Sequence, residues 1–117
     1  MDLQELTDDE RVALVALVIQ LMRADGTTSD NELSELTALG AEMGLKAFDS
    51  AYLRARDEYG TRTQALEFAQ SQVTRPKARE IIHTVLFDMA ASDGVSDEER
   101  AIVDAVRAMW EIVTVPR

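Results

Sequence analysis

The eight residues Val12-Ala13-Leu14-Val15-Ala16-Leu17-Val18-Ile19 carry no polar side chain, and no other feature constrains the fold so strongly. Just ahead of them, Thr7-Asp8-Asp9-Glu10 forms a capping box. There a Thr hydroxyl accepts from the backbone N–H three residues on, while the Glu side chain reaches back to the cap's own N–H. Asp8 and Asp9 complement the positive end of the helix dipole. The run is therefore read as a helix, and a helix apolar around its whole circumference lies at the centre of a bundle. Extended to Met22, the apolar stretch covers 11 residues broken only by Gln20. That is short of the ~20 residues a membrane-spanning helix needs. Gly26 is the expected stop, through the left-handed conformation that glycine adopts without a Cβ clash.

The same punctuation recurs along the chain. Ser29-Asp30-Asn31-Glu32 is a second capping box, and Leu33, Leu36, Leu39 and Met43 follow it at helical spacing up to Gly44. A third helix is expected from about Phe48 to Tyr59, with Phe48, Tyr52, Ala55 and Tyr59 on one face and Gly60 as its stop. Thr61 caps a short fourth helix bearing Leu66, Ala69 and Val73. Pro76 suits the first turn of a fifth, where its missing N–H is no loss. That helix holds Ile81, Ile82, Val85, Leu86, Phe87, Met89 and Ala90, and Gly94 ends it. Ser96-Asp97-Glu98-Glu99 caps a sixth, with Ile102, Val103, Val106, Met109, Trp110 and Val113 facing inward. No alternating segment flanks a hairpin turn, so the prediction is one all-α domain over residues 1–117, a bundle of about six to seven helices with its core at about residues 7–113.

Composition excludes several function classes. The 22 acidic and 12 basic residues leave a net charge of −10, the wrong sign for a nucleic-acid binder that works by phosphate attraction. Hydrophobic residues make up 46 %, too many for a disordered acidic tail. Without cysteine there is no disulfide, no thiolate metal site and no thiol nucleophile. The acidic opening Met1-Asp2-Leu3-Gln4-Glu5 does not resemble a secretory leader, and a cytoplasmic protein is expected. His83 is the sole histidine, too few for zinc, and is expected to be partly buried and hydrogen-bonded. No nucleophile elbow and no Gly-rich phosphate loop is present. Charge is uneven, with net −8 over residues 1–50, +2 over 51–86 and −4 over 87–117. The basic group Arg54, Arg56, Arg62, Arg75, Lys77 and Arg79 reads either as a polar docking surface or as an ordinary solvated face.

An internal repeat ties these elements together. Leu21-Met22-Arg23-Ala24-Asp25-Gly26-Thr27-Thr28-Ser29-Asp30-Asn31-Glu32 and Asp88-Met89-Ala90-Ala91-Ser92-Asp93-Gly94-Val95-Ser96-Asp97-Glu98-Glu99 share one grammar. In each, an apolar helix meets an Asp-Gly turn, then a capping box and an amphipathic helix. The second turn is one residue shorter. A pseudo-twofold fold is expected, with the two most apolar helices crossing at the centre. The doubled Asp-Gly…Glu pattern resembles the signature of the TerB-like superfamily, which includes tellurite-resistance proteins and the N-terminal domain of the DnaJ-like co-chaperone DjlA. The resemblance covers roughly residues 7–113.

That resemblance implies an all-helical bacterial domain in stress or tellurite response, acting by docking an unidentified protein partner. It also implies a divalent cation held by Asp25 and Glu32 in one half and by Asp93 and Glu99 in the other. Four carboxylates suit a hard cation such as Ca²⁺ or Mg²⁺. The same residues equally suit pure capping, with Glu32 and Glu99 closing boxes and the aspartates accepting turn N–H groups. The loops are not EF-hands, because twelve-residue loops from Asp25 or Asp93 end at Leu36 and Asp104. Three functions remain open on the sequence: a non-enzymatic docking module, a small metal-dependent hydrolase using these carboxylates, or a purely structural homodimer subunit with Trp110 at the subunit interface; the chain is expected to be a monomer or a homodimer.

Overall fold

The Thr7 capping box closes as the sequence predicts. The Glu10 amide donates to Thr7 Oγ1 at 3.2 Å, and the Thr7 amide donates to Glu10 Oε1 at 2.8 Å. From this cap helix α1 spans Asp8–Arg23. In the computed structural model, which describes residues 3–24, 30–91 and 97–111 (side chains of 30–33 excepted), five more helices follow. They are α2 (Asp30–Met43), α3 (Leu45–Glu58), α4 (Arg62–Gln72), α5 (Pro76–Ala91) and α6 (Asp97–Met109), with no strand among the described residues. The all-α class is therefore correct. Ser29, Ser96, both Asp-Gly turns and Val113 lie outside the described residues.

α1 is the axis of the bundle, packed against α3, α4, α5 and α6. Each residue from Val12 to Ile19 is at most 7 % exposed. Removing one such leucine or valine side chain from water contributes about 1.5–3 kcal/mol, which is why this helix seeks neighbours on every side. α4 reaches α1 through Ala65 and Ala69, both fully buried, and side chains this small let two helices approach closely. α2 packs on α3 and on a short 3-10 turn at Leu3–Glu5 that the sequence pattern does not announce. Leu3 and Leu6 in that opening segment are buried, so the core begins before residue 7.

The third helix starts three residues earlier than expected, at Leu45 directly after Gly44. Leu45 is 70 % exposed and Lys46 is also exposed, so the first turn of α3 carries no apolar periodicity to read. Gly44 alone connects α2 to α3, with φ +101° and ψ 125°, a conformation that L side chains rarely adopt. A Cβ placed there meets nothing within 4 Å, so only backbone strain opposes substitution. Gly44→Ala is expected to destabilise the fold by about 1–3 kcal/mol, read as a lowered thermal midpoint.

α5 packs against α1, as the repeat predicts, but the two copies are unequal. Ile19 and Phe87 occupy matching positions, yet Ile19 is 7 % exposed and Phe87 is 55 % exposed. α1 lies beneath α3 and α4, whereas α5 turns Glu80, Thr84, Phe87 and Asp88 to solvent. Phe87 is thus not the core residue that the apolar pattern suggests. Trp110 is, being buried after the last turn of α6 with the Arg79 guanidinium 5.9 Å from its ring centre.

Candidate functional site

Of the four carboxylates proposed for a cation, Asp25 and Asp93 lie outside the described residues, and Glu32 is described only as a backbone position in the first turn of α2. Glu99 is the one whose side chain is described. It sits in the first turn of α6, only 4 % exposed, and takes part in an interaction there. Among the described residues no three His, Asp or Glu side chains come together to hold a metal.

Five of the six basic residues of the chain centre, Arg62 excepted, are engaged by an acid or a backbone carbonyl. Arg75 Nε donates to Glu10 Oε2 at 2.9 Å, its Nη2 bonds Glu10 Oε1, and the same Nη2 reaches the Glu5 carbonyl at 3.1 Å. Glu10 is 3 % exposed, and the arginine holds its carboxyl below the usual carboxylate range, against the opposing effect of burial. Lys77 lies 3.8 Å from Glu5, Arg56 pairs with Asp57, and Arg79 Nε donates to the Val73 carbonyl at 2.9 Å. A groove of about 460 Å³ between α1 and α3 has Arg11, Lys46 and Arg54 on its walls. Arg11 is already paired with Asp8, and Arg54 with Asp9 and Glu58. This groove is cationic in composition and nearly neutral in charge, a poor seat for an anion.

The surface around α5 differs. α5 stands there as a ridge between two grooves. One, of about 220 Å³ against α6, is walled by Phe87 and Val103 with His83, Thr84, Asp104 and Arg107 around them. The other, of about 140 Å³ against α2, has Leu39, Val85 and Met89 beneath and Glu35, Glu42 and Asp88 on its rim. His83 departs from expectation, since its Nε2 is buried without a hydrogen-bond partner. Burial first, and the neighbouring Arg107 second, push its pKa down, while Asp104 acts in the opposite direction. The imidazole is therefore neutral at neutral pH, with its ring centre 6.4 Å from that of Phe87. Sequence reasoning missed this face, although its signal is present. On a helical wheel Phe87 falls with Glu80 and Thr84, a polar stripe on an otherwise apolar helix.

Among the described residues no helix is long and apolar enough to cross a membrane. Comparison with curated proteins and with solved structures returns no match. The profile of a family described as "Tellurite resistance protein TerB" matches residues 11–115, from the first turn of α1 to beyond α6. This match covers nearly the whole chain and encompasses both halves of the internal repeat. The chain belongs to the TerB family.

Proposed function

We propose that this TerB-family chain is a non-enzymatic docking module of a cytoplasmic stress or tellurite response. The observation that carries the reading is Phe87, an aromatic ring held 55 % exposed on α5, where it walls the groove against α6. An aromatic side chain kept in water on a rigid helix is the kind of anchor around which protein interfaces concentrate their binding energy. The chain itself serves as bait for the test. A protein retained by the wild type and lost with Phe87→Ala is the expected outcome. Equal retention by both, or none with and without divalent metal, rejects the reading.

A divalent cation, Ca²⁺ or Mg²⁺, at Asp25, Glu32, Asp93 and Glu99 belongs to the same proposal. The hard oxygen donors suit such an ion, and in sequence they lie within or just after the segments that join α1 to α2 and α5 to α6. Millimolar Ca²⁺ or Mg²⁺ is expected to shift the amide resonances of Gly26 and Gly94. If those amides stay where they were, the cation has no place in the function.

A further inference from the structure

Acidic side chains of this molecule differ in how they are compensated. Around α1 and α3, Asp8, Asp9, Glu10 and Glu58 are each paired with an arginine. Glu35, Glu42 and Asp88 come together around the α2–α5 groove without an ion-pair partner in the described structure, whereas the unpaired Asp49 and Glu67 are on α3 and α4 and Asp104 on α6 is paired with Arg107. Glu80, exposed on the same ridge of α5, has none either. In a chain of net charge −10 such carboxylates repel one another, and this repulsion is relieved by a cationic partner. The floor between them is apolar, formed by Leu39, Val85 and Met89, and Phe87 stands beside Asp88 on the ridge.

Resting on the docking reading above, we infer that the surface of α2, α5 and α6 around Phe87 receives a basic amphipathic helix of a partner protein. The spacing of the acids selects this occupant. Glu35 and Glu42 lie seven residues apart on one face of α2, two turns or about 10.5 Å along the axis. Lysine or arginine residues seven apart on a second helix repeat that distance, and the apolar residues between them fall on the groove floor and on Phe87. Charge steers the encounter, while the aromatic anchor and the groove determine how long the complex lasts.

The test uses the full chain and a synthetic 14-residue helical peptide with leucines along one face and lysines flanking them. A scrambled peptide of identical composition and a glutamate-for-lysine version serve as controls. The amphipathic basic peptide is expected to shift amides of α2, α5 and α6 and to bind more weakly as salt rises. Phe87→Ala and the triple variant Glu35→Gln, Glu42→Gln, Asp88→Asn are each expected to weaken it about tenfold. Asp49→Asn, on the exposed side of α3, leaves it unchanged. Equal binding of the scrambled peptide, shifts confined to α1 and α3, or indifference to Phe87→Ala overturns the inference. So does self-association of the chain that Phe87→Ala abolishes, since a second copy is then the occupant. If the peptide fails while a captured protein is still lost with Phe87→Ala, the inference falls and the docking reading stands. If no protein is captured at all, the docking reading itself falls.

Discussion

Glu10→Ala is expected to destabilise this protein by about 2–3 kcal/mol, although the residue sits in the first turn of a helix where substitutions are usually mild. Three bonds are lost together. The carboxylate accepts the Thr7 amide, closing the cap, and it accepts two donors of Arg75 from the segment entering α5. The effect stays near the lower end for a broken buried pair because Arg75 is half exposed and can be rehydrated. The same carboxylate sets an acid limit. Its folded-state pKa lies below the unfolded value, so the stabilisation is complete above the unfolded value. It is lost as pH falls through the folded-state value, that is, from about pH 5 downward. Denaturant melts across pH 3–7 check this, since Glu10→Gln flattens the acid branch. An unchanged branch in that variant removes Glu10 as its origin.

The second large effect is a contrast within the internal repeat. Leu17→Ala opens a cavity on the bundle axis, where the side chain is fully buried. It is expected to destabilise by about 3–4 kcal/mol and to lower the thermal midpoint by roughly 15 °C. Phe87→Ala removes a larger side chain from the matching apolar helix, yet it is expected to change stability by less than about 1 kcal/mol, because the ring is already largely in water. Calorimetry on the two variants decides between a binding and a packing role for Phe87. A large loss of stability in Phe87→Ala assigns the ring to the core and removes the observation on which the docking reading stands.

Much of the candidate site was only partly legible in sequence. The Asp-Gly…Glu signature was visible because turn and cap chemistry is local, and it led to the family. The pairing of Glu10 with Arg75 was not, because 65 residues separate partners that only the packed bundle brings together. The exposure of Phe87 was legible only in part, because its place beside Glu80 and Thr84 marks a stripe of α5 without showing which neighbour is missing. The unmet Nε2 of His83 was equally invisible, since a hydrogen bond depends on what surrounds the ring.

The sequence alone settled which segments are helical, where the Thr7 and Thr61 boxes start them, and which helix lies innermost. Those choices rest on interactions within four residues and on a run of side chains that water rejects on every side. Tertiary structure decided what each helix leaves uncovered. α1 and α5 are written in nearly the same code, but α3 and α4 pack over α1 while the outer face of α5 stays open. Burial is a property of neighbours, and helical periodicity names a face without naming what will cover it.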